Sequence, residues 1–307
     1  MSQEDRRDTL KYQVRQTIRP TIAPLTAAVS GALAASSLQA ATITVDTLDD
    51  ALPSDQCSLR AALYSATTGS EFGTCIRGDP YEHNTIEFQS SLSGTINLSS
   101  EAEGYYYDFE NAPLLVGQSV TIDGDDRITL EGTGDGPVLN LKYDPDGFTT
   151  DSVTLTGLTI TGGGGDYGGA IYSKARELQL SGCTLTGNSV AQLGGAILHF
   201  HPYPNVSRTS ISNSVISGNE TTGESSRGGA VAIVTTMAIE HELNVSSSTF
   251  ENNQAVVSGG AIDFQVPSGL ADITSSTFYG NTATNGEYRN YNRPFSPIPA
   301  VSGAVSA

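Results

Sequence analysis

Four glycine-pair segments constrain this chain more than any other feature. They are Gly168-Gly169-Ala170-Ile171, Gly194-Gly195-Ala196-Ile197, Gly228-Gly229-Ala230-Val231 and Gly259-Gly260-Ala261-Ile262, spaced by 26, 34 and 31 residues. A second pattern interleaves with them, running Leu180 to Asn188, Ile211 to Asn219, Val245 to Asn253 and Ile273 to Asn281. Leu155 to Gly163 fits the same frame, with Gly163 in the place of the asparagine. Each unit alternates apolar and polar residues and is rich in β-branched side chains, which reads as short strands. None is long enough to bury a core alone. Units of this kind become stable by stacking, so that inward faces join into one apolar column. The units lack helical periodicity, which excludes an α-solenoid, and they are shorter than the ~40–50 residues of a propeller blade. The reading is an all-β chain, a parallel β-helix.

Within such a column the repeated residues acquire roles. Gly168, Gly169, Gly194, Gly195, Gly228, Gly229, Gly259 and Gly260 supply turns that a Cβ would hinder. Asn188, Asn219, Asn253 and Asn281 can stack as an amide ladder inside another turn. Insertions such as His201 to Arg208 and Thr221 to Arg227 are expected to project as loops, where specificity usually resides.

The first forty residues differ from the rest. Arg6, Arg7, Lys11, Arg15 and Arg19 precede an Ala- and Leu-rich stretch from Ile22 to Leu38, and Ala40 or Ala41 offers a small residue for cleavage. Residues 1–40 are therefore read as a targeting segment, residues 41–286 as the β-helix with a cap over about 41–100, and residues 287–307 as a Pro-rich tail. The chain carries a net charge of −18 from 15 basic and 33 acidic residues. With the five basic and three acidic residues of the first forty set aside, 10 and 30 remain, a net of −20. That balance argues against nucleic acid and anionic membrane surfaces as partners. After residue 40 no apolar run is long enough for a transmembrane helix.

Cys57 and Cys75 lie 18 residues apart, and an exported chain can oxidise them, although spacing alone does not decide it. Cys57 to Leu63 reads as a short amphipathic helix suited to closing the first coil of a solenoid. Cys183, in a strand-like run, reads as a buried inert thiol.

Cys57-Ser-Leu-Arg-Ala-Ala-Leu63 resembles the Cys-Ser-Leu-Arg-Glu-Ala signature of CSLREA-domain bacterial surface proteins, with Ala61 in place of the glutamate. The Gly-Gly-Ala-Ile and Phe-x-x-Asn units are similar to chlamydial-type polymorphic outer membrane protein repeats. The resemblance implies a right-handed parallel β-helix exported to the cell surface, the outer membrane or the medium.

Candidate chemistry is sparse. His199 and His201 share a strand face at the spacing of metal ligands. Asp46, Asp49, Asp50 and Asp55, then Asp123, Asp125 and Asp126, then Asp144 and Asp146 form oxygen-rich groups that calcium favours, but turn chemistry gives the same pattern. Asp263 follows one Gly-Gly-Ala-Ile unit, and its counterparts are Tyr172, Leu198 and Ala232, so no acidic stripe forms. No catalytic residue is assigned and no cofactor is required. The expected function is adhesion or envelope interaction, with glycans or cell-surface molecules as partners. The alternative is a carbohydrate-active enzyme, a polysaccharide lyase or glycoside hydrolase, on the same scaffold.

Overall fold

A computed structural model describes residues 40–51, 55–99, 114–141, 152–202, 205–235, 240–284 and 305–306. Residues 1–39, most of the expected tail, and Asp144 and Asp146 lie outside them. The architecture is a mostly-β parallel β-solenoid with one short helix, as the repeats predict. Among the described residues the strands form parallel sheets of thirteen, seven and four strands.

One coil shows the path. Ile171–Ser173 runs in the seven-stranded face, and Glu177–Ser181 follows in the thirteen-stranded face. Thr184–Thr186 continues in that same sheet, and Ser189–Val190 forms the four-stranded face. The chain then turns through Gly194-Gly195 into the next coil at Ile197–His201.

Alternation fixes which side chains enter the column. Register stacks Ile43, Ile86, Ile122, Leu155, Leu180, Ile211, Val245 and Ile273 into one aliphatic column. A second stack runs Ile96, Leu130, Ile160, Leu185, Ile216, Phe250 and Phe278, ending in two rings 4.7 Å apart and nearly parallel. The seven-stranded face adds Leu114, Leu139, Ile171, Ile197, Val231 and Ile262. Each fully buried aliphatic side chain contributes about 1.5–3 kcal/mol. No coil could gain this alone, because its neighbours supply the cover.

The glycine pairs now have a specific cause. Gly194 has φ +68°, the left-handed conformation. A Cβ on Gly195 would lie 2.0 Å from the Gly229 carbonyl oxygen and 2.8 Å from backbone atoms of Glu220. Coils therefore touch backbone to backbone at this turn. Gly195→Ala should cost about 3 kcal/mol or more, since backbone cannot move aside as a side chain would. Gly218→Ala is the control: φ is +61° but a Cβ there meets nothing within 4 Å, so only conformational strain of about 1 kcal/mol is expected. Thermal melts of the two variants compare the terms directly.

Two sequence expectations shift in detail. The expected loop over His201 to Arg208 is shorter, because His201 ends one strand and Ser207–Ser212 is another. Val305–Ser306, inside the segment read as a tail, pairs in parallel with Ile262 and Asp263.

Candidate functional site

Two polar ladders line the inner corners. In the first, Asn188, Asn219 and Asn253 are fully buried. Asn219 Oδ1 accepts from Asn188 N at 3.1 Å and Nδ2 at 2.9 Å, while Asn219 Nδ2 donates to the Leu185 carbonyl at 3.0 Å. Asn253 repeats the pattern toward Asn219, and Asn281 toward Asn253. The ladder closes where Asn188 Oδ1 accepts from Gly163 N at 2.9 Å. Each asparagine follows a left-handed residue: Gly187, Gly218, Asn252 and Gly280.

The second ladder was missed from the sequence. Ser214 Oγ accepts from Cys183 N, Ser248 Oγ from Ser214 N, and Ser276 Oγ from Ser248 N, all at 3.1–3.2 Å. Each hydroxyl donates to a carbonyl two residues back, at 2.8 Å. Cys183 heads the row, and burial pushes its thiol pKa up. The readable signal was the small polar residue five positions before each ladder asparagine.

At the start of the column the Cys57 to Leu63 segment is built for folding. Cys57 and Cys75 are joined by an S–S bond of 1.99 Å. Ser58 caps the helix Leu59–Thr68 by accepting from Ala61 N at 3.1 Å. Leu59 is buried, and Arg60 grips Asp50 through two hydrogen bonds of 2.8 and 3.0 Å. Asp50 also accepts from Ser99 N, so this carboxylate is already neutralised and bonded. Asp46 accepts from Cys57 N, and Asp125 pairs with Arg127. Asp49 and Asp55 are exposed. Among the described residues no group of three or more His, Cys, Asp or Glu is placed to hold a metal ion.

A further polar cluster lies inside the column, built on three histidines. His199 and His201 point inward from the seven-stranded face, and both are fully buried. His241, from the strand Glu240–Ser246, meets the His199 ring at 4.9 Å. The sequence reading did not select His241, because forty-two residues separate it from His199.

Hydrogen-bond roles in this cluster follow from one acceptor. The Ala175 carbonyl can only accept, so His199 Nε2 donates to it at 2.8 Å. His199 Nδ1 then accepts from the Thr209 hydroxyl at 2.7 Å. Thr209 Oγ1 in turn accepts from His241 Nε2 at 3.1 Å, and His241 Nδ1 accepts from Ser207 Oγ at 2.6 Å. Both rings are neutral in this arrangement. Burial lowers His199 to about 4, and burial together with the neighbouring imidazoles lowers His241 to about 2. His201 Nε2 donates to Asn205 Oδ1 at 2.9 Å.

Ser207 beside His241 has the separation of a nucleophile and its base. Both are sealed from solvent, and an imidazole of pKa about 2 is too weak a base near neutral pH to take that proton. The relay holds coils together; both ring nitrogens of His199 and Nε2 of His201 are bonded to protein partners.

Asp263 is 2% exposed. Ser258 Oγ donates to it at 3.0 Å and Gln265 Nε2 donates to its other oxygen. Burial raises its pKa. Its row neighbour is Ala232, so it stands alone in register.

The outer surface of the thirteen-stranded face is polar. One row pairs Glu177, Arg208 and Glu242, with Arg208 bridging the two carboxylates at 3.4 and 2.7 Å. The next reads Gln179, Ser210, Asn244 and Asp272, and the next Ser181, Ser212, Ser246 and Thr274.

Residues 247–265 match the Chlamydia polymorphic membrane protein repeat. The matched stretch spans one ladder asparagine, Asn253, and one glycine pair, Gly259-Gly260. No curated protein and no solved structure matches the chain. Among the described residues no helix is long and apolar enough to cross a membrane. The chain is thus a β-solenoid carrying a repeat of a membrane or surface protein family.

Proposed function

We propose that this chain is an exported surface or secreted β-helix that works by adhesion, offering its outer faces to glycans or other cell-surface molecules. One observation carries the reading. The imidazoles of His199, His201 and His241 are turned inward and bonded to the protein, whereas the outer strands carry ordered rows of hydroxyl and amide side chains. A rigid column with a regular outer surface loses little entropy on contact, which suits a binding scaffold. The segment around Cys57, with its CSLREA-like sequence, serves in this reading as the cap of an exported column, and its disulfide fits an oxidising compartment. The expected result is attachment of the purified chain to whole cells or immobilised glycans. Absence of attachment to every surface tested would sink the proposal.

A second reading, a carbohydrate-active enzyme, rests on Asp263, whose raised pKa suits a general acid. Incubation with neutral and acidic polysaccharides, with calcium present, separates the two. New reducing or unsaturated ends that vanish in Asp263→Asn favour the enzyme.

A further inference from the structure

One outward row of the thirteen-stranded face is nearly uniform. Thr95 pairs with Thr129, Thr129 with Thr159, and Thr159 with Thr184. Thr184 pairs with Val215, Val215 with Thr249, and Thr249 with Thr277. Six of these seven rungs carry threonine, and valine has the same branched shape with a methyl in place of the hydroxyl. None of the seven is buried. At a strand spacing of about 4.8 Å the row is about 29 Å long.

Strand propensity alone does not explain it. Exposed strand positions favour threonine, yet the row of Glu177, Arg208 and Glu242 in the same sheet is charged. Two residues further along the same strands lie Thr161, Thr186 and Ser217, and Ser217 Oγ donates to Thr186 Oγ1 at 3.2 Å. The middle of this strip therefore shows hydroxyls and methyls without a charge, bracketed by Glu131 and Glu251.

Threonine is stiff at χ1. A stack of them on a parallel sheet presents hydroxyl and methyl at a fixed repeat, with little freedom to lose on binding. A ligand that matches such a row is itself linear, periodic and uncharged. An extended glycan advances by roughly one sugar ring per strand spacing, exchanges hydroxyl hydrogen bonds at each rung, and lays ring C–H groups on the methyls. The net charge of −20 outside the first forty residues repels polyanions. We infer that the Thr95–Thr277 row binds an extended neutral polysaccharide laid along the column axis. This rests on the adhesion reading and names its site and ligand class.

The test is retention of the full chain on insoluble β-1,4-glucan and chitin, with a polyuronate as the charged comparison. Thr159→Val/Thr184→Val/Thr249→Val removes three hydroxyls and keeps the shape that Val215 already places in the row. The expected results are retention on a neutral polymer, about a tenfold or larger loss in the triple variant, and an unchanged melting temperature. Val215→Thr completes the row and should strengthen retention. Equal retention of the wild type and the triple variant, or none on either neutral polymer, would overturn the inference. Attachment to cells that survives the triple variant overturns the row and leaves the adhesion reading intact; loss of all attachment by the wild type removes both.

Discussion

Lowering the pH from 6.5 towards 4 should unfold this column steeply, by about 2.7 kcal/mol per pH unit from His199 and His241 together. The sign follows from where the protons go. In the unfolded chain both imidazoles titrate near pH 6.5, whereas in the folded column they stay neutral down to about 4 and about 2. Between those values the unfolded state binds more protons, so stability is fully present above pH 6.5 and is lost as the pH falls. At pH 4 the accumulated loss is on the order of 6 kcal/mol, comparable with the whole stability of many domains. Among the described residues no carboxylate is bonded to either ring. His199 meets Ala175, Thr209 and His201; His241 meets Ser207, Thr209 and the Phe264 ring. Asp263 works in the opposite sense, because its raised pKa lets the folded state take up a proton first as pH falls, and it offsets part of the loss. Urea melts at half-unit steps from pH 7.5 to 4.5 measure the slope. His241→Asn should roughly halve it, and an unaltered slope in a His199→Gln/His241→Asn variant would show that the protons bind elsewhere.

The second large effect belongs to the amide ladder. Asn219→Ala leaves Asn188 N without its acceptor and the Leu185 carbonyl without its donor in the buried corner, while Asn188 Nδ2 loses one acceptor and keeps the Ile160 and Thr186 carbonyls. At about 1–3 kcal/mol for each of the two orphaned groups, the loss is on the order of 2–6 kcal/mol. Asn281→Ala should cost much less, since Asn281 is only partly buried and solvent replaces its bonds with Asn253. A denaturation series at Asn188, Asn219, Asn253 and Asn281 tests the account. Equal, small losses at all four positions would mean that packing rather than bonding keeps these residues.

The column was legible in the sequence because its cause is local and repeated. Alternation in Leu155, Leu180, Ile211 and Val245 sets the inward face whatever lies above or below, and Gly195 marks a backbone contact that recurs in each coil. What remained hidden depends on pairing across coils. Ser214 and Ser248 resemble ordinary strand serines until register stacks them. His199 and His201 correctly share one inward face, but their partners Thr209, Ala175 and Asn205 come from other elements, and these turn a suspected ligand pair into rings bonded within a protein network. The uniform threonine row likewise exists only once Thr95 and Thr277 are known to share a face.

The buried relay has a bearing on how such a chain finds its own threading. Apolar stacks of isoleucine, leucine and valine look alike from one level to the next, so a coil displaced by a whole repeat would lose little oily contact. Ser207, Thr209, His199 and His241 break that translational degeneracy, since they satisfy one another only when two particular levels are neighbours. Shift either level, and imidazoles face hydrocarbon. The cluster thus serves as an address label inside an otherwise self-similar cylinder.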